Sequence, residues 1–106
     1  PSGTADLTGE AQRIMDRIAL TAMSPDSSIT VTGHTDDVPI SNGQFRDNWD
    51  LGAGRAASVV QAIQNTGLIS GDRLSAVSKG EMAPVADNNT AAGREQNRRI
   101  EIEISY

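Results

Sequence analysis

The sequence predicts a small α/β sandwich in which helices pack on one sheet. Three stretches carry that expectation. Ile29-Thr30-Val31-Thr32 alternates apolar and polar residues, as a strand with one buried face does. Ile100-Glu101-Ile102-Glu103-Ile104 alternates still more cleanly near the end of the chain. Between them, Ala56, Val59, Val60 and Ile63 recur at helical spacing.

Taken in order, the first element is a helix for which Thr8 serves as N-cap and Glu10 suits the positive end of the helix dipole. Ala11, Ile14, Met15, Ile18 and Ala22 form its apolar stripe. Ser24-Pro25-Asp26 stops it, because proline cannot continue a helix and disfavours helix at the residue before. Ile29 to Gly33 is the first strand, and it runs directly into the polar run Gly33-His34-Thr35-Asp36-Asp37. Val38 to Phe45 then reads as a long loop rich in turn formers, a length that often marks function.

The second helix is expected from about Ala53 to Asn65, with Gly52 at its N-cap and Gly67 as a left-handed cap beyond its end. Gly54 in the first turn costs about 1 kcal/mol relative to alanine. Two readings of this glycine pair stand side by side. One is close approach of backbone amides to a bound anion, and the other is drift. Leu74 to Ser78 forms a weak strand closed by Lys79-Gly80, and Glu81 to Thr90 is loop. Thr90 caps a short helix to Asn97, and the final strand follows. The elements thus run helix, strand, helix, strand, short helix, strand.

At 106 residues the chain fits a single domain, and its 37% hydrophobic content fits a folded one. No apolar run reaches the length of a membrane-spanning helix, and nothing at the start reads as a signal peptide. A start at Pro1-Ser2-Gly3 suggests a fragment of a longer protein. The absence of cysteine removes disulfides and thiolate chemistry. The net charge of −5 and three aromatic residues, Phe45, Trp49 and Tyr106, argue against nucleic acid, since only Arg94, Arg98 and Arg99 cluster positive charge.

Among the polar residues, His34, Asp36 and Asp37 invite a metal reading. Zinc asks for three protein ligands or more, and His34 is the sole histidine, while a calcium loop would need more closely spaced oxygens. His34 is better read as a structural hydrogen-bonder at a strand end, and no metal or cofactor is expected. Catalysis lacks its parts as well, with no Gly-x-Ser-x-Gly elbow, and adjacent acids on a strand point to opposite faces. The informative pair is Asp36, leaving the strand, with Arg55 in the first turn of the following helix. A strand-end crevice is where open α/β sheets hold ligands. Physics alone leaves two alternatives level: an internal salt bridge, or a zwitterion site in which Asp36 takes an ammonium and Arg55 a carboxylate.

Gly33-His34-Thr35-Asp36, Asn48-x-x-Leu51, Arg55-Ala56-x-x-Val59, Arg73, Gly80, Pro84, Asn88-x-Thr90 and Gly93-Arg94-x-x-Asn97-Arg98-Arg99 together resemble the OmpA-like peptidoglycan-binding domain, from about Leu7 to Ile104. Thr35-Asp36-Asp37-Val38-Pro39-Ile40, the longer loop after it and Asn48-Trp49-Asp50-Leu51 make the resemblance nearest to the periplasmic domain of flagellar stator B subunits, the MotB/PomB type. The resemblance implies a mixed sheet with helices on one side, of βαβαβ type, whose own first strand would precede Pro1. It implies a non-catalytic module in the periplasm that binds the meso-diaminopimelate of peptidoglycan stem peptides. Asp36 and Arg55 would hold the ammonium and carboxylate, with Thr35, Asn48 and Leu51 lining the pocket and Arg98 contributing, partly structurally. It further implies a homodimer and a stator A subunit (MotA/PomA type) as partners, through a membrane helix anchored in the inner membrane. The alternatives are an outer-membrane OmpA/Pal-type module, or a dimerisation and gating module whose wall grip needs activation. Gly52 replaces the helix-capping serine usual in that family, and Gly54 would loosen the helix start that carries Arg55.

Overall fold

The computed structural model describes residues 9–106. Helix α1 (Gly9–Thr21) leads to strand β1 (Ser28–His34). Helix α2 (Asn48–Asn65) connects it to strand β2 (Leu74–Gly80), and helix α3 (Ala91–Asn97) precedes strand β3 (Ile100–Ser105). Among the described residues the sheet has three strands in the order β2-β1-β3. β1 runs parallel to β2, with α2 as the crossover, and antiparallel to β3. The expected mixed sheet of an α/β sandwich is present. The Thr8 cap lies outside the described residues.

Register explains which side the helices cover. Ile29 and Val31 of β1 pair with Leu74 and Ala76 of β2 and with Ile104 and Ile102 of β3, so these side chains share one face. Met15 and Ala19 from α1, Ala22 just past its end, and Ala56, Val59, Ala62 and Ile63 from α2 share one core with that face. Thr30 and Thr32 pair with Glu103 and Glu101 on the opposite, wetter face.

Two expectations need correction. On α1 the buried residues are Met15 and Ala19, followed by Ala22 just past its end, while Ile14 is 48% exposed. α1 packs chiefly against α2, and Ile14 lies off that buried arc. On α2 the start is Asn48, not Ala53, and the N-cap is Asp47, not Gly52. The Asp47 carboxylate accepts from Asp50 N–H at 2.9 Å, and the Asp50 carboxylate accepts from Arg46 N–H at 3.0 Å. Asp47 thus caps the first turn of α2, and Asp50 ties the residue before the cap back onto that turn.

Gly52 and Gly54 therefore sit inside the helix, and packing accounts for both. A Cβ on Gly33 would lie 2.0 Å from Gly52 O, and one on Gly52 would lie 2.5 Å from Ser78 Oγ. α2 rests backbone to backbone on β1. A Cβ on Gly54 would lie 2.7 Å from Phe45 Cε1, so this glycine receives the buried ring that ends the long loop. The contacts made possible outweigh the lost helix propensity. Gly67, at φ +75°, takes the left-handed conformation expected after α2.

Candidate functional site

The site forms where β1 ends and α2 begins. His34 N–H donates to Arg99 O at 2.9 Å and Thr35 N–H donates to Gly80 O at 2.8 Å, so the chain leaves the sheet held from both sides. The Thr35 hydroxyl donates to Asp36 O at 2.8 Å. The Asn48 side-chain amide faces Val38 O at 3.1 Å and Asp36 O at 3.3 Å, with Glu81 Oε1 at 3.4 Å. From the first position of α2, Asn48 thus pins the opening of the loop against the helix.

These restraints leave a cavity of about 230 Å³ lined by Thr35, Asp36, Val38, Pro39, Ile40, Asn48, Leu51, Arg55, Arg94 and Arg98. Its volume suits one small polar group or side chain rather than a drug-sized ligand, whose pockets begin at about 300 Å³. All six residues anticipated for the site, Thr35, Asp36, Asn48, Leu51, Arg55 and Arg98, are in its lining. Arg55 lies roughly two turns inside α2, not in its first turn. Because α2 is seated at Gly52 on Gly33, the position of Arg55 is set by the helix body. A looser helix start does not reach it.

Asp36 is 6% exposed and engages two donors. Its Oδ1 accepts from Val38 N–H at 3.0 Å, and its Oδ2 accepts from Arg98 Nη1 at 2.8 Å. Arg98, at the C-cap of α3, thus forms an ion pair with this carboxylate. Arg55 belongs to the same charge cluster. Burial first, then the Arg98 guanidinium, pull the pKa of Arg55 below its ordinary value, and Asp36 raises it in part. A cation held in that setting is stabilised by an incoming anion.

Reasoning from sequence did not place Arg94, Val38, Pro39 or Ile40 in the site. For Arg94 a signal existed: it precedes Arg98 by four residues, which puts both on one face of α3. Its Nη1 donates to Asn88 O at 2.9 Å. Asn97, fully buried, accepts from Val85 and Ala86 N–H groups and donates to Ala86 O and Asn88 Oδ1. A Cβ on Gly93 would lie 1.8 Å from Asp87 O. The run Gly93-Arg94-x-x-Asn97-Arg98 is thus a unit that packs the 85–88 loop on α3 and aims two arginines at the cavity.

His34 stands apart from this chemistry. It is buried, with Nε2 at 3.3 Å from Glu101 Oε1, while Asp36 turns to the cavity. Among the described residues no cluster of three or more His, Asp or Glu side chains is placed to hold a metal.

A family model described as the OmpA family matches residues 1–98. The chain belongs to the OmpA family. Motility protein B of Bacillus subtilis is 36% identical over 104 residues, covering 97% of this chain and 40% of that protein. Peptidoglycan-binding protein ArfA of Mycobacterium bovis is 33% identical over 102 residues, covering 95% of this chain and 30% of that protein. Among solved structures, the C-terminal domain of Helicobacter pylori MotB superposes with a TM-score of 0.90 at 28% identity, covering 100% of this chain and 81% of that one. The chain spans about two-fifths of the length of the motility relative. This is an OmpA-like domain of the MotB type, a non-catalytic module and not an enzyme.

Proposed function

We propose that this OmpA-family domain grips the peptide stems of peptidoglycan in the periplasm, through meso-diaminopimelate, and so anchors a flagellar stator to the cell wall. The observation that carries this reading is the joint presence of Asp36, Arg55 and Arg98 in one small cavity at the end of β1. Diaminopimelate presents an ammonium and a carboxylate on one carbon. Asp36 accepts from the ammonium while Arg55 grips the carboxylate with its fork of donors. Thr35, Asn48 and Leu51 shape the walls, and Arg98 holds Asp36 in place.

Each charge-assisted contact contributes about 1.5–3 kcal/mol, so a single domain binds weakly. Firm anchoring comes from several copies acting together, as a homodimer supplies. In this reading residues 1–106 act as one domain of a longer protein, held in the inner membrane beside a stator A subunit. The match to a motility protein supports the stator role, and the match to a peptidoglycan-binding protein supports the ligand.

Calorimetric titration with L-Ala-γ-D-Glu-meso-diaminopimelate and with L-Ala-γ-D-Glu-L-Lys tests the site. With its α-amine acylated, the lysine stem keeps a side-chain ammonium but has no carboxylate on the same carbon. The proposal requires saturable binding of the first and at least tenfold weaker binding of the second. Equal affinities would refute the assigned carboxylate contact.

A further inference from the structure

The cavity holds more positive charge than a single zwitterion requires. Arg55, Arg94 and Arg98 line it together with one acid, Asp36. Asp36 already accepts from Arg98 at 2.8 Å. An ammonium and a carboxylate arriving together would leave this excess unchanged. A ligand with a second anionic group would reduce it.

Arg94 is built to meet that group. It is half-buried on α3, one turn before Arg98. Its Nη1 is fixed on Asn88 O at 2.9 Å, and the Asn88 side chain is fixed by Asn97 Nδ2 at 2.7 Å. That tether orders the guanidinium before any ligand arrives, which lowers the entropy cost of using it. The remaining N–H groups of the planar fork stay available for a carboxylate.

We infer that Arg94 binds a second carboxylate of the stem peptide, making the cavity a two-anion site around the Asp36–Arg98 pair. This rests on the peptidoglycan reading and deepens it. An L-Ala-γ-D-Glu-meso-diaminopimelate stem has two candidates for that carboxylate. One is the α-carboxylate of the glutamate, and the other is the second carboxylate of the diaminopimelate itself.

The test is calorimetric titration of the parent, Arg94→Ala and Arg94→Lys with this tripeptide. Two further tripeptides carry a carboxamide, one at the glutamate and one at the second diaminopimelate carboxylate. We expect Arg94→Ala to bind the tripeptide about tenfold more weakly, with Arg94→Lys in between. One carboxamide should weaken the parent by a similar factor and abolish the difference between the parent and Arg94→Ala. The carboxamide that does so identifies the source. Unchanged tripeptide affinity in Arg94→Ala would overturn the inference. So would an equal loss for all three peptides, which signals a structural role through Asn88. Failure of the parent to bind any of them would instead refute the peptidoglycan reading on which the inference rests.

Discussion

Arg98 donates to Asp36 at 2.8 Å across 62 positions of sequence, joining the end of the third helix segment to the end of the first strand. The two side chains differ in exposure, 26% for Arg98 and 8% for Asp36. The acid is the member that depends on the pair. It reaches into the cavity from a segment held by backbone hydrogen bonds and by the Asn48 side chain, and the arginine neutralises it.

Replacing Arg98 therefore exposes the cost of keeping Asp36 buried. Loss of the partner removes the arginine that donates to the carboxylate, whose other oxygen accepts from Val38 N–H. Arg98→Ala should destabilise the domain by about 2 kcal/mol, less than a fully buried pair because the arginine is part-exposed. Urea unfolding measures it, and an unchanged midpoint would show that the pair contributes nothing.

The seating of α2 on β1 gives a prediction opposite to helix propensity. Gly52→Ala favours helix by about 1 kcal/mol on intrinsic grounds. The added methyl would lie 2.5 Å from Ser78 Oγ and 3.0 Å from Gly33 O. Gly52→Ala should destabilise by about 1–3 kcal/mol, as overpacking does, and displace Arg55 enough to weaken ligand binding. A stabilised variant would mean that α2 and β1 separate easily.

The same glycines show why part of this fold was legible in the sequence and part was not. β3 announced itself through strict alternation, and Thr90 through its place before a short polar helix. Its hydroxyl does accept from Gly93 N–H at 2.9 Å. The start of α2 was hidden because Gly52 and Gly54 resemble a helix boundary. Their reason is tertiary: Gly33 and Phe45 come from elsewhere in the chain. Asp47-x-x-Asp50 was the local signal that marked the true start. Asp36 and Arg55 were legible as a strand-end acid and a helix arginine. Arg98 as the direct partner of Asp36 depended on how α3 meets the sheet, which no local pattern encodes.

Acid should weaken the fold through His34. The imidazole is buried at the end of β1, near Arg99 and Glu101 of the β3 side and Lys79 of β2. Burial, followed by Arg99, holds its pKa below the ordinary 6.5, against the opposing pull of Glu101. A lowered folded-state value means that the unfolded chain binds the proton more tightly. The stability that His34 contributes is thus complete above about pH 6.5 and is lost as pH falls through the folded value. Glu101, lowered from 4.5 chiefly by its hydrogen bond from Arg99, loses its contribution only at more acid pH. Unfolding midpoints should fall between about pH 7 and pH 5.5, and His34→Gln should flatten that slope. A midpoint that rises on acidification would reverse the assignment.

The central claim is that the cavity between Asp36 and Arg55 is the grip on the cell wall. Co-sedimentation of the purified domain with isolated sacculi tests it most directly, alongside Asp36→Asn and Arg55→Ala variants whose circular dichroism matches the parent. The account predicts that the parent pellets with sacculi and that each variant stays largely in the supernatant, a loss of at least tenfold in affinity. Variants that pellet as well as the parent would contradict it.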